Sequence, residues 1–149
     1  MKFSTSFKNT LINIICYALI LLFVYASVSK LLDYGNFRIQ LGQSPLISAY
    51  SGWFVWFVPV LEICIAIALL FRKLRFWGLY ASFILMLMFT VYIFIMLKYS
   101  SFLPCSCGGI LEKLGWIEHL IFNIFFVIIA LVGMIFLRCN MSNKYLINH

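Results

Sequence analysis

Residues 116–137 of this chain read WIEHLIFNIFFVIIALVGMIFL, and the run ends at Arg138. An α-helix rises about 1.5 Å per residue, so about 20 predominantly apolar residues cross the hydrocarbon core of a bilayer. Three further runs of similar composition precede this one, at residues 11–28, 53–71 and 76–97. The sequence therefore predicts four transmembrane α-helices.

The composition of the whole chain also favours lipid as its solvent. The chain has 149 residues, of which 65% are hydrophobic and 10% charged, and its mean hydropathy is +1.08. A soluble domain carries about a quarter charged residues, so this chain could not cover its surface with polar groups in water. No segment has the composition of a linker, and the length allows one domain. We expect a single all-α transmembrane domain over residues 1–149, folded as a four-helix bundle.

The net charge of +7 is spread in twos and threes between the apolar runs. This spacing is typical of Lys and Arg that contact phospholipid headgroups, and it argues against nucleic-acid binding. Seven bases flank the runs on one side: Lys2, Lys8, Arg72, Lys73, Arg75, Arg138 and Lys144. Four flank them on the other: Lys30, Arg38, Lys98 and Lys113. Because the richer side is normally cytoplasmic, we expect cytoplasmic N- and C-termini and an outer connection between the third and fourth runs.

The first outer connection, residues 30–52, is too long for a tight turn and too apolar for a freely solvated loop. Tyr34, Phe37 and Leu41 could form the apolar side of a short helix in the membrane interface, ending near Gly42 and Pro45. An irregular re-entrant loop is the alternative interpretation.

The second outer connection carries a pair of thiols, since residues 104–109 read PCSCGG. Cys105 and Cys107 can close only a small, strained disulfide ring, and such a disulfide, when exposed, is generally oxidising and labile. The expected outward face is also the compartment in which disulfide chemistry operates. These two cysteines are therefore candidate redox residues. Ordinary loop cysteines are one alternative, and a Cu(I) or Zn site completed by His119 is another.

The start of the fourth run places polar side chains below the Cys-x-Cys segment. Trp116, His119 and Asn123 share one helix face because they are spaced by three and then four residues. His119 could exchange a proton with a thiol as it becomes the nucleophilic thiolate. A histidine at the membrane interface without a chemical role fits the spacing equally well.

Glu62 interrupts the second run at a depth close to those of Asn123 and Thr90. An ionisable group at such depth costs several kcal/mol and normally faces a partner or a cavity. These three residues predict a shared polar pocket under the outer connection. The alternative is that Glu62 and Asn123 only hydrogen-bond the second and fourth helices together. We expect Lys30 to pair with Asp33 at the surface rather than to turn inward to Glu62.

Several of these features together resemble the MauE/DoxX family of small bacterial four-helix membrane proteins. The matching pieces are SKLLD at residues 29–33, Pro59 with Glu62, CSCGG at residues 105–109, and Trp116 with Asn123. The resemblance covers nearly the whole chain. It implies a redox-associated protein of the bacterial inner membrane. Such a protein would support disulfide formation in a periplasmic enzyme beside a thioredoxin-like partner, or serve as a subunit of a larger membrane complex.

The residues and the resemblance together predict a membrane thiol–disulfide exchange component, either an oxidoreductase itself or an accessory subunit of one. Cys105 and Cys107 would cycle between dithiol and disulfide, and His119 would assist thiolate formation. The candidate cofactor is a quinone, bound by Glu62, Asn123 and Trp116. The alternatives are a non-enzymatic scaffold with a static Cys105–Cys107 staple, and a metal-binding protein.

Overall fold

A computed structural model describes residues 5–43, 48–99 and 116–147. These residues form five α-helices, with a 3₁₀ turn over Ser48–Tyr50 before the third: α1 (Thr5–Leu32), α2 (Tyr34–Gln43), α3 (Ser51–Leu70), α4 (Arg75–Tyr99) and α5 (Trp116–Ile147). No β-strand occurs in these three ranges. The all-α prediction is confirmed.

Four of the helices are long and apolar enough to cross a membrane, over Ser6–Leu32, Gly52–Leu70, Arg75–Ile95 and Ile117–Cys139. The predicted four-helix membrane architecture is therefore confirmed. The helices α1, α4 and α5 extend beyond the apolar runs that predicted them, because a helix continues into the polar interface as long as its backbone bonds are made. The orientation of the termini and the single-domain assignment stay predictions.

The four spanning helices pack as a ring in the order α1, α3, α4, α5. Helix α1 packs mainly on α3, α4 mainly on α5, and α5 closes the ring against α1. The buried face of α1 carries Ile12, Cys16, Leu19 and Phe23, spaced by four, three and four residues as in left-handed bundles. The outward faces remain apolar: Leu21 is 75% exposed and Trp53 81%. Side chains of this kind fit contact with lipid chains rather than with water.

Helix α2 confirms the short helix expected in the first connection and excludes the irregular alternative for residues 34–43. Leu41 is buried, and the Tyr34 ring lies 5.5 Å from that of Trp56 on α3. Helix α2 thus packs beside the first turns of α3.

The turn between α3 and α4 is held to α1 by Arg75. Its Nη1 donates to Asn13 Oδ1 at 2.6 Å, and its Nε donates to the Leu69 carbonyl at 3.3 Å. Near the start of α1, Asn13 is joined through Arg75 to Leu69 at the end of α3. Near the end of α1, Ser27 bonds to Pro59 in the first half of α3. The two helices are therefore antiparallel.

This arrangement defines the two ends of the bundle. The Arg75 end contains the starts of α1 and α4 with the ends of α3 and α5. The opposite end, here called the Lys30 end, contains the ends of α1 and α4 with the starts of α3 and α5. Residues 100–115 connect α4 to α5, so the segment with Cys105 and Cys107 is attached at the Lys30 end.

Candidate functional site

An ion pair between α1 and α3 forms the centre of the candidate site. Lys30 Nζ lies 2.7 Å from Glu62 Oε1, and the side chains are only 14% and 1% exposed. The carboxylate thus lies inside the bundle, within a helix that is otherwise apolar. Charges in such an environment attract strongly but also lose their hydration, so each holds the other in place more than it adds net stability.

The expected pairing of Lys30 with Asp33 is wrong. The Asp33 carboxylate accepts from Asn36 Nδ2 at 3.0 and 3.2 Å, while the Lys30 ammonium turns into the bundle. The geometry of helical side chains explains this choice, because each Cα–Cβ bond tilts toward the N-terminus of its own helix. In antiparallel helices, Lys30 on α1 therefore tilts inward and Glu62 on α3 tilts toward the Lys30 end. The long lysine stem spans the remaining distance.

The Lys30 ammonium is also close to the other two spanning helices. It lies 5.7 Å from the centre of the Phe89 ring on α4, a distance that permits a cation–π interaction. Its charge also acts on the His119 imidazole of α5. A longer contact of 3.5 Å joins it to the Ala26 carbonyl of its own helix. Lys30 therefore contacts groups of α1, α3 and α4, and its charge also reaches α5.

The two carboxylate oxygens of Glu62 differ in their hydrogen bonding, since Oε1 contacts Lys30. Within the described part of the chain, Oε2 is buried and has no hydrogen-bond partner. An unsatisfied buried acceptor costs about 1–3 kcal/mol, and more when the group is charged. The site therefore presents an acceptor oxygen beside a cationic donor.

A proline one turn before Glu62 lies in α3 between that residue and the start of the helix. Pro59 lies inside α3, where it cannot donate to the carbonyl of Val55. The buried Ser27 hydroxyl donates to the Pro59 carbonyl at 3.1 Å. Ser27 and Lys30 are one turn apart on the same face of α1, and Pro59 and Glu62 are one turn apart on the same face of α3. Two hydrogen bonds therefore join these two faces.

The other residues of the predicted pocket are only partly brought together. Asn123 is 5% exposed on α5, one turn below His119, so both lie on the same side of that helix. The Thr90 hydroxyl donates to the Met86 carbonyl of its own helix at 2.7 Å, so its hydrogen is engaged within α4. The observed partner of Glu62 is Lys30 of α1 rather than Asn123 of α5, and the pocket shared by Glu62, Asn123 and Thr90 stays a prediction.

The remaining predicted site residues lie at the margin of what the structure describes. Trp116 is the first residue of α5, whereas Cys105 and Cys107 lie outside the described residues. Within residues 5–43, 48–99 and 116–147, no three His, Cys, Asp or Glu side chains form a group suited to a metal ion.

Sequence reasoning did not select Lys30, Ser27 and Phe89 as site residues. A signal for the first two was available, since Ser27 and Lys30 are three residues apart and therefore share a helix face. Pro59 and Glu62 are also three residues apart, so the polar face of the first helix could have been paired with theirs. Phe89 carries no such signal, because it is one aromatic residue among many in α4.

One family model matches this chain across most of its length. It is described as "Methylamine utilisation protein MauE", and the match covers residues 8–136. That range includes Lys30, Glu62, His119 and the connection between α4 and α5. No curated protein and no solved structure matches the chain significantly.

Proposed function

The chain belongs to the MauE family, and from that premise we propose that it is a thiol–disulfide exchange component of the bacterial inner membrane. Cys105 and Cys107 carry the exchange, and the partner is a periplasmic thioredoxin-like protein or a membrane complex. The observation that carries this proposal is the position of the ionisable groups Lys30, Glu62 and His119 at the end of the bundle to which the Cys-x-Cys segment is attached.

The covalent chain limits how far the thiols can lie from that end. Cys105 is the sixth residue and Cys107 the eighth after Tyr99, the last residue of α4. Six and eight residues span at most about 20 and 27 Å when fully extended. Both thiols therefore stay within reach of the Lys30 end, at which His119 lies near the start of α5.

Thiol–disulfide exchange uses these groups as follows. The thiolate of one cysteine attacks the disulfide of the partner, one partner sulfur leaves, and a mixed disulfide forms. The second cysteine then attacks the mixed disulfide, so the chain gains a disulfide and the partner gains two thiols. Each attacking thiol loses a proton and each departing sulfur gains one. His119 exchanges that proton, and the reverse sequence oxidises the partner.

A quinone is the proposed electron acceptor when the chain oxidises its partner. The Cys105–Cys107 dithiol would become a disulfide as the quinone gains two electrons and two protons to become a quinol. Glu62, Asn123 and Trp116 would bind it. The burial of both Glu62 and Asn123 inside the bundle supports this assignment.

Redox-dependent thiol labelling tests the proposal directly. A chain lacking Cys16, Cys64 and Cys139 is labelled with a maleimide reagent after reduction or oxidation. We expect both remaining thiols to react after reduction and to be protected after oxidation. Single Cys105→Ser and Cys107→Ser variants of the otherwise unaltered chain should trap the partner as a mixed disulfide, and Cys64→Ser in that same chain, at an exposed residue, is the matched control. Labelling that ignores the redox state would contradict the proposal.

A scaffold function is the second candidate, favoured by the two bonds that join α1 to α3 at Ser27 and Lys30. Here Cys105 and Cys107 form a static staple and the bundle anchors a partner complex. The Cys105→Ser, Cys107→Ser double variant would then keep its function and lose only stability. Exchange chemistry requires the opposite result, loss of function in a folded protein.

A further inference from the structure

Glu62 forms an ion pair with Lys30 through one oxygen, and its other oxygen is an acceptor without a partner in the described residues. Glu62 is 1% exposed, and in the described residues its Oε2 accepts no hydrogen bond although Oε1 lies 2.7 Å from Lys30 Nζ. Buried carboxylate oxygens are ordinarily satisfied, so an acceptor of this kind indicates a group that binds there. The group must donate a hydrogen bond and must tolerate a neighbouring ammonium.

The charge of the site narrows the chemistry of that group. The charges of Lys30 and Glu62 cancel, so an additional full charge of either sign would enter the bundle without a counter-ion. A neutral hydroxyl fits because it donates to one atom and accepts from another. The ammonium of Lys30 has three donors, of which one reaches Glu62 Oε1 and a second makes the 3.5 Å contact with the Ala26 carbonyl.

The side chain that is more exposed indicates the direction from which a ligand enters the site. Lys30 is 14% exposed whereas Glu62 is 1% exposed. Lys30 lies in the last turn of α1, at the level where a spanning helix leaves the hydrocarbon core. Because Oε2 is buried, a hydroxyl on an apolar molecule reaches it from the bilayer when the Lys30 side chain, the more exposed of the pair, moves aside.

We infer that Lys30 and Glu62 form a binding site for the hydroxyl group of a neutral, lipid-soluble molecule, which donates to Glu62 Oε2 and accepts from Lys30 Nζ. Two sources supply such a hydroxyl: a quinol or the headgroup of a hydroxyl-bearing lipid. Only the quinol source rests on the proposed function, in which case Lys30 becomes a binding residue that the sequence did not select.

The first arm of the test uses a matched pair of probes on the unaltered full-length chain. The protein is placed in phosphatidylcholine nanodiscs, whose headgroup has no free hydroxyl. An alkylated hydroquinone is then titrated, and its dimethyl ether, which keeps the ring but has lost both O–H donors, is titrated in parallel. Binding is measured by the shift of the thermal unfolding temperature. We expect the hydroquinone to bind at least about tenfold more tightly than the ether.

The second arm varies the lipid. Nanodiscs containing diacylglycerol, a neutral lipid with one free hydroxyl, are compared with phosphatidylcholine alone, and retained lipid is counted by native mass spectrometry. Retention of diacylglycerol that competes with the hydroquinone would identify the lipid as the ligand. Retention that is lost with Glu62→Gln supports the site in either arm.

The variants separate binding at this site from general effects on the bundle. Glu62→Gln keeps the shape and one acceptor oxygen but places an amide N–H₂ where Oε2 accepts, so hydroquinone binding should weaken about tenfold to a hundredfold. Ser82→Ala is the matched control, because this buried hydroxyl donates only to the Gly78 carbonyl of its own helix. Its binding should equal that of the unaltered chain.

Binding does not depend on the thiols, so the two proposals can fail separately. The Cys105→Ser, Cys107→Ser variant should bind the hydroquinone as the unaltered chain does, even if its exchange activity proves to be absent for another reason. If the hydroquinone and its ether bind equally and no hydroxyl-bearing lipid is retained, the inference is overturned. An ordered water alone would then occupy Oε2, and this result needs no variant that might fail to fold.

Discussion

Lys30 Nζ and Glu62 Oε1 are 2.7 Å apart, although one residue lies near the end of α1 and the other well inside α3. In antiparallel helices the two side chains tilt toward each other, so a lysine that could have stayed at the interface reaches an acid inside the bundle. This contact brings together α1 and α3, with the Phe89 ring of α4 beside it.

The first prediction concerns the stability of this pair. Lys30→Ala should lower the free energy of unfolding by about 3–5 kcal/mol, because it leaves an unpaired carboxylate inside the bundle. The Lys30→Met, Glu62→Leu double variant should recover most of that loss, since it removes both charges. Equilibrium unfolding in mixed micelles measures both. Equal losses in the single and double variants would show that the charges do not act as a buried pair.

A second prediction compares two buried serines. Ser27→Ala should cost about 1 kcal/mol, because the Ser27 hydroxyl joins α1 to the Pro59 carbonyl of α3. Ser82→Ala should cost less, since the Ser82 hydroxyl bonds only within α4. The same unfolding experiment ranks the two variants. The reverse order would mean that the interhelical bond contributes nothing.

Close packing at a glycine of α5 leads to the third prediction. A Cβ at Gly133 would lie 3.0 Å from Ile15 Cγ2 and 3.2 Å from Leu79 Cδ2, so α5 approaches both α1 and α4 through this residue. Gly133→Leu should therefore destabilise the bundle by at least about 1–3 kcal/mol through overpacking. Gly52→Leu is the control, because a Cβ there meets nothing within 4 Å. Matched thermal melts in detergent would reveal the difference, and a tolerated leucine at position 133 would refute the close approach.

The fourth prediction addresses the Arg75 end of the bundle. Arg75 donates through Nη1 to Asn13 and through Nε to the Leu69 carbonyl, at 2.6 and 3.3 Å. A lysine cannot reproduce this fork, so Arg75→Lys should cost about 1.5–3 kcal/mol even though the charge is kept. Arg72→Lys, at an exposed residue of the same turn, should unfold as the unaltered chain does. Identical behaviour of both lysine variants would argue that charge alone matters at residue 75.

The membrane architecture was predictable from local composition. Each spanning helix is a long apolar run, and its length against the bilayer thickness decides that it crosses, whatever its neighbours do. Helix α2 was likewise predictable from the spacing of Tyr34, Phe37 and Leu41. Helix ends were less predictable, since α5 continues past Arg138 to Ile147, where apolar composition no longer gives a signal.

The partners of the ionisable residues were not predictable in the same way. Glu62 was recognised as a buried acid from its place in an apolar run, but Lys30 was assigned to Asp33, its neighbour along the chain. Sequence spacing predicts contacts within one helix, whereas the packing of α1 against α3 places Lys30 next to Glu62 on the other helix. Asn36 engages Asp33, and only the three-dimensional arrangement shows this.

By itself, the sequence determined that this chain is a four-helix membrane bundle of the MauE type, because hydrophobic length and short motifs are local properties. Only the tertiary structure decided that Lys30 pairs with Glu62 beside the Phe89 ring, and that one carboxylate oxygen stays without a partner in the described residues. The physical reason is that such contacts depend on the relative register and rotation of packed helices. Many faces of an apolar helix are nearly equivalent in sequence, and the summed packing of all four helices selects among them.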